Sequence, residues 1–353
     1  MSCKSEPCLR DITNHVACSS SGKVSCDARA LHPVTEGVYV HNSISHHARM
    51  SNSSTQQEIF KSPGRCGSNK TSASQALKQK LCALRTKDES FHEDTLQRTI
   101  HDSLLEAEDD LPLYGQGFTE VQSEVTSGMR TTLVDWLIEV AEEYSLVSET
   151  LHLAVNLVDR FLNIEDTPRK SLQLLGITCV LIASKFEEIY APSVAELCYI
   201  TDNTYSVEQV MAMERTVLKS LDYRVCRPTS KTFCDIYCAA MSLECDVEYL
   251  SNFLCETALL STELCVYRAS IKAKAAIMIS SLTLRGSIWI PDNVRTDLID
   301  LVKCALGIIR FAEENESNAL LEKFSGDKFQ PVTINLSDVS FEAALQEIRK
   351  IVE

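Results

Sequence analysis

The chain has 353 residues, 44% of them hydrophobic, which is enough for two to three domains of roughly 100–150 residues with a sizeable core. Its net charge of −15 is unevenly spread: residues 1–90 hold 12 Lys+Arg against 7 Asp+Glu, and residues 91–353 hold 22 against 42. A folded part at −20 is a poor match for a nucleic-acid backbone and a better one for a basic protein partner.

Residues 1–90 are rich in Ser, Asn, His and Lys and show little periodicity, the composition of a disordered tail. Two short signals stand in it. Leu9-Arg10-Asp11-Ile12-Thr13-Asn14 is an apolar-acidic motif of the kind a receptor reads in extended form, and Ser62-Pro63-Gly64-Arg65 has the pattern of a proline-directed phosphorylation site. The start, Met1-Ser2-Cys3-Lys4, lacks an apolar signal region, and the 15 cysteines are scattered without a Cys-x-x-Cys pair. Both features read as reduced thiols in a cytosolic or nuclear protein.

From about Phe91 the pattern turns helical. Thr99–Glu108 places Ile100, Leu104 and Leu105 on one face, and a link with Pro112, Gly115 and Gly117 follows. Gly128-Met129 opens a helix whose apolar positions are Met129, Leu133, Trp136, Leu137 and Val140. Ser148 reads as the cap of the next helix, with a stripe of Leu151, Val155, Val158 and Leu162, His152 among them and Asp159 and Arg160 near its end.

Ser171–Ser184 then runs fourteen residues without a charge. That is short of the roughly 18 needed to span a bilayer, so it reads as a helix buried on every side. Gly176 and Ala183 let neighbours approach it closely. Lys185 suits the helix C-terminus, whereas Glu187 and Glu188 oppose its partial negative charge; they fit either an external basic partner or plain solvation. Pro192 begins a short helix, and Ser206 with Gln209 has capping-box spacing ahead of Met211, Val217, Leu218 and Leu221.

After Pro228 the rhythm repeats. Thr229–Met241, Val247–Thr262, the small-sided Ala269–Leu284, a short piece from Pro291, and Thr296–Glu313 form a second five-helix series. Cys234 and Cys238 share one face there as buried thiols and no histidine lies near them, so no metal site is expected. The chain loosens at Gly326 and Pro331, and Phe341–Val352 forms a last helix.

Met129-Arg130-Thr131-Thr132-Leu133-Val134-Asp135-Trp136-Leu137, then Leu172-Gln173-Leu174 and Ala183-Ser184-Lys185-Phe186-Glu187-Glu188-Ile189-Tyr190, resemble the motifs of a cyclin, most closely an A-type mitotic cyclin with a B-type mitotic cyclin as the alternative, over residues 91–315. The resemblance implies an all-α protein: a tail (1–90), an N-terminal helix and linker (91–125), two tandem five-helix cyclin boxes (126–226 and 227–320) and an extension (321–353). It implies no catalytic activity and no cofactor. Instead it implies binding and activation of a cyclin-dependent Ser/Thr kinase. Lys185 and Glu214 would be the signature pair of the kinase face, with Phe186, Glu187 and Glu188 beside them. Ile189, Tyr223 and Val225 would pack on the kinase's mobile helix, and Ile100 would lie on the N-terminal helix that also docks there.

The resemblance also implies a groove for Arg-x-Leu peptides of substrates or inhibitors, formed by Met129, Leu133, Trp136, Leu172 and Gln173, with Glu139 meeting the arginine and Arg169 at its edge. Thr132 departs from the aliphatic residue usual there. Read without the resemblance, Lys185 caps its own helix, Glu214 is solvated, and Met129, Leu133 and Trp136 are core. Leu9, Asp11, Ile12 and Asn14 resemble the downstream half of a destruction box read by a mitotic ubiquitin ligase, although Glu6 stands where its arginine is expected. The expected compartment is the nucleus, with the cytoplasm as a second. An enzyme is disfavoured because the chain has no Gly-rich phosphate loop, no His-Glu-x-x-His and no Ser-His-Asp neighbourhood. A nucleic-acid-binding factor of the same fold is disfavoured by the charge of −20 and by the absence of a zinc ribbon.

Overall fold

The structure, a computed structural model, describes residues 95–109, 118–287, 298–315, 317–325 and 339–352. The expectations for Leu9–Asn14, Ser62 and the short piece at Pro291 lie outside them. The secondary structure among the described residues is helical throughout. Helix α1 is Thr95–Asp109, followed by one turn, α2 (Phe118–Val121). A first series is α3 (Ser127–Glu143), α4 (Ser148–Leu162), α5 (Leu172–Glu187), α6 (Val194–Tyr199) and α7 (Val207–Ser220). A second series is α8 (Ser230–Met241), α9 (Cys245–Leu260), α10 (Ala269–Arg285) and α11 (Leu298–Glu314), and α12 (Asn318–Ser325) and α13 (Glu342–Val352) close the chain. All these elements belong to one compact unit.

The uncharged run becomes α5, buried from Leu174 to Ser184 and packed on α4, α7 and α3. Gly176 permits the α3 approach: a Cβ there would lie 2.8 Å from Leu133 Cδ1. Helix α10 holds the matching place in the second series, with α9, α11 and α8 around it. It carries Lys274 in the interior, only 2% exposed, with its Nζ 5.6 Å from the centre of the Tyr237 ring. Burial pushes that lysine down to about 8, against the opposing pull of Glu108.

Several local expectations are revised. Ser148 is not the cap of α4; Val147 holds that position, and the Ser148 hydroxyl donates to Glu256 of α9. Met211 faces solvent, and Val210 takes the core place beside Val217. Helix α12 straddles the expected boundary at residue 320. Its Ala319, Leu320 and Phe324 join the core of the first series, not the second. The Tyr249 hydroxyl of α9 donates to the Phe324 carbonyl, and Lys323 reaches Glu256 at 2.8 Å and Glu142 at 3.7 Å. Helix α1 rests on the second series, with Leu104 and Leu105 against its core and His101 Nε2 3.2 Å from the Tyr237 hydroxyl. Helix α13 packs on the same core through Phe341, Ala344 and Ile348.

Arg130 is among the side chains that join the two series. Arg130 on α3, 1% exposed, makes a forked pair with Asp159 of α4 at 2.6 and 2.7 Å. Its Nη1 also donates to the carbonyls of Leu259 and Leu260 at the end of α9, at 2.9 and 3.3 Å. Burial by itself would lower the guanidinium's pKa, but the Asp159 carboxylate overrides it and raises the value. Removing one partner of a buried pair leaves the other charge desolvated and unmatched, at a cost of about 3–5 kcal/mol. Arg130→Leu is therefore expected to lower the unfolding free energy in urea by about that much; a loss under about 1 kcal/mol would show that the fork does not join the boxes.

Candidate partner-binding site

The candidate face begins where α5 ends. Lys185 and Glu214 form an ion pair at 2.6 Å that ties α5 to α7. Lys185 lies in the last turn of α5, and its ammonium also meets Glu214 of α7. Lys185 keeps 48% of its side chain in solvent and Glu214 keeps 17%, so the bridge has an open side.

Beyond it, Phe186 is 51% exposed, and Ile189 and Tyr190 are each 91% exposed. Large apolar side chains this bare, three within five residues, form a patch rather than scattered exposure. Tyr190 was not among the expected contacts; its position directly after Ile189 in the same solvent-facing turn is what marks it. Past α7, Tyr223 is 70% exposed with φ of +57°, an unusual backbone for a bulky residue, while Val225 is half-buried against the first core. Ile100 is exposed on α1, which rests on the second series and takes no part in the Lys185–Glu214 bridge.

Glu188 has a different task from the one expected. Its Oε1 accepts the Val147 N–H at 2.8 Å and the Thr150 hydroxyl at 2.6 Å. The carboxylate that seemed misplaced at the C-terminus of α5 thus caps the N-terminus of α4, where negative charge is favoured. Glu187 is half-buried, and burial raises its pKa, reinforced by Glu149 and Glu188.

The second expected site lies on α3. Leu133, Trp136 and Leu172 are 5–6% exposed and belong to the first core. Met129, Thr132 and Gln173 are half-buried and Glu139 is exposed, which makes a shallow strip along that core. The Thr132 hydroxyl bonds the Gly128 carbonyl of its own helix at 3.0 Å, leaving only its methyl as apolar surface. Arg169 is exposed in a 3₁₀ turn (Arg169–Ser171) held by its backbone N–H on Glu124. Burial raises the pKa of Glu139, as do Asp135 and Glu322, the last contributed by α12. Among the described residues no group of three or more His, Cys, Asp and Glu could hold a metal ion, and no helix is long and apolar enough to cross a membrane.

Geometry and packing together define an all-helical protein: two tandem helical boxes around α5 and α10, with an exposed, partly apolar face at the end of α5. Family models for the N-terminal and C-terminal cyclin domains match residues 99–226 and 228–335, and the chain belongs to the cyclin family. Its curated relatives include A-type cyclins. Cyclin-A2-4 of Arabidopsis thaliana is 40% identical over 228 residues, covering 61% of this chain and 50% of the relative. Cyclin-A2 of Gallus gallus is 38% identical over 229 residues, covering 62% and 57%. Cyclin-A1-4 of Oryza sativa subsp. japonica is 38% identical over 241 residues, covering 64% and 67%. The chain thus spans between half and two thirds of the length of these relatives.

Two solved structures share the fold. A viral cyclin from herpesvirus saimiri has a TM-score of 0.51 at 21% identity, covering 62% of this chain and 96% of its own. A chain of the yeast RNA Pol II CTD kinase CTDK-1 complex has a TM-score of 0.52 at 14% identity, covering 74% and 83%.

The acidic strip has a pH signature. With its folded pKa raised, Glu139 makes the native state bind a proton more tightly than the unfolded one. Stability is therefore lost as pH rises through the window above the ordinary value of 4.5. Glu139→Gln should reduce that loss, read as a smaller fall of Tm from pH 4.5 to 7; parallel Tm profiles for the two proteins would count against a shared field of Asp135, Glu139 and Glu322.

Proposed function

We propose that this chain is a non-catalytic regulatory subunit that binds and activates a cyclin-dependent Ser/Thr kinase. The observation that carries the proposal is the Lys185–Glu214 bridge beside exposed Phe186, Ile189 and Tyr190. A kinase needs its ATP-binding lysine paired with a glutamate on a mobile helix. A preformed apolar face holds that helix inward, and moving the equilibrium from 1:99 to 99:1 takes about 5.5 kcal/mol of differential binding. That calls for an interface on the order of 2,000 Å², which the α5–α7 end together with Ile100 on α1 would supply. The net charge of −15 favours encounter with a basic kinase surface.

The same proposal assigns the Met129–Thr132–Gln173 strip to Arg-x-Leu segments of substrates or inhibitors, with Glu139 receiving the arginine. It places the protein in the nucleus, and also in the cytoplasm, at the control of S phase or mitosis. It makes Leu9–Asn14 a degenerate signal for a mitotic ubiquitin ligase and Ser62 a phosphorylation site.

Charge reversal separates partner binding from internal bridging. Lys185→Glu and Glu214→Lys should each reduce capture of a cyclin-dependent kinase catalytic subunit and its activation by at least tenfold, with helicity by circular dichroism unchanged. The double swap restores the ion pair but not the binding. Wild-type affinity in the single variants, or full recovery in the swap, would show that the pair acts only within this chain.

Thr132→Ile adds apolar surface at the strip. One methylene's worth of burial, about 0.8 kcal/mol, corresponds to roughly fourfold tighter binding of an Arg-x-Leu peptide. Calorimetry giving equal or weaker affinity would remove Thr132 from the peptide site.

A further inference from the structure

The strip along α3 has a matching segment in this chain's own sequence. Arg-x-Leu spacing occurs twice, at Arg29-Ala30-Leu31 and at Arg160-Phe161-Leu162. The second lies inside α4, where Arg160 is 2%, Phe161 5% and Leu162 0% exposed, so no surface could read it. The first lies outside the described residues, in the stretch 1–90 that carries 12 basic and 7 acidic residues. Arg10-Asp11-Ile12 comes near the same pattern, but Asp11 would bring a further acid to a strip that already holds Asp135, Glu139 and Glu322.

The spacing suits the strip. Thr132 and Glu139 stand two turns apart on one face of α3, about 10.5 Å along its axis. Side chains at i and i+2 of an extended segment point the same way from Cα atoms roughly 6.5 Å apart, and the length of an arginine side chain covers the remainder. A leucine over Met129 and the Thr132 methyl therefore leaves an arginine two residues earlier within reach of Glu139. The charge there is set for a cation. Glu139 is exposed, Asp135 already receives the Ser317 hydroxyl, and Glu322 of α12 adds negative charge beside Glu139. Fully extended, the 64 positions from Leu31 to Thr95 reach on the order of 200 Å. A globular body of about 250 residues is only roughly 50 Å across, so length does not limit access.

We propose that residues 29–31 of the same molecule dock in the α3 strip, with Arg29 paired to Glu139 and Leu31 covering Met129 and the Thr132 methyl. The contact rests on the Arg-x-Leu reading of the strip and gives that site a regulation: an outside segment must displace the chain's own. A tether of this kind holds its segment at an effective concentration on the order of 1 mM. For an intrinsic Kd below about 0.1 mM, the docked segment weakens an outside ligand at least about tenfold.

The test is calorimetric titration of two probes into the full chain. One is a peptide of residues 25–36; the other is a Gly/Ser peptide carrying a single Arg-Ala-Leu. Both should bind the Arg29→Ala/Leu31→Ala chain at least tenfold more tightly than the wild type, and Glu139→Lys in that background should abolish both. Equal affinity for the wild type and the double variant would overturn the proposal and leave the strip reading intact. So would binding of the Gly/Ser probe without binding of the 25–36 peptide. Failure of both probes on the double variant would remove the strip reading and this contact with it. Masking of the wild-type strip that grows with protein concentration would assign the segment to a second copy and overturn the intramolecular contact.

Discussion

The fold turns on one desolvated guanidinium. Arg130 leaves α3, forks onto Asp159 of α4, and reaches across to the last carbonyls of α9. A helix C-terminus presents unsatisfied carbonyls and partial negative charge, so a cation placed there satisfies hydrogen bonds and the dipole at once. Because Arg130 is also paired with a carboxylate, its charge can remain in the interior. Lysine could not reproduce the arrangement, since a single ammonium cannot make the planar fork. The two boxes are thus fixed to one another through a group that tolerates no slippage.

The same device recurs with the signs exchanged. Two helices that lack a capping side chain of their own, α4 and α10, borrow a carboxylate from elsewhere. Glu188 serves α4, and Glu108, at the end of α1, serves α10 through Ser270. Glu149 of α4 accepts the hydroxyls of Thr229 and Thr232 at the start of α8. Each contact spans elements distant in sequence, so these helix starts are also tertiary ties. A scaffold tied this way orders little on binding, which is what the proposed partner contact at Phe186, Ile189 and Tyr190 would need.

The α3 strip illustrates a shared use of residues. Leu133 fills the space opposite Gly176 and is also the floor beneath Met129 and Thr132. Core packing therefore holds Leu133 in place, and the proposed peptide contact would rest on the few atoms that remain exposed. The acids there, Glu139 and Asp135 with Glu322 from α12, repel one another in the empty strip, and an arginine would relieve that repulsion.

Helix type, order and approximate limits were legible in the sequence wherever apolar residues recur at helical spacing, as in α3, α4, α5 and α10. Burial of α5 on every side followed from fourteen residues without a charge, and the Ser206–Gln209 capping box from local spacing alone. The motif residues Lys185 and Glu214 were nameable in advance, but their meeting at 2.6 Å was not, because it depends on how α5 crosses α7. Glu188 looked wrong for its own helix, since the helix it caps begins 41 residues earlier in the chain. Helix α12 escaped notice because eight residues are too few for periodicity to register, and only the first core shows where its apolar face belongs. Sequence by itself determined which segments are helices and which surfaces are apolar, because those depend on local backbone and side-chain chemistry. Tertiary structure alone decided which charge answers which helix end and which box each terminal helix joins, because those pairings exist only once distant segments share the same low-dielectric space.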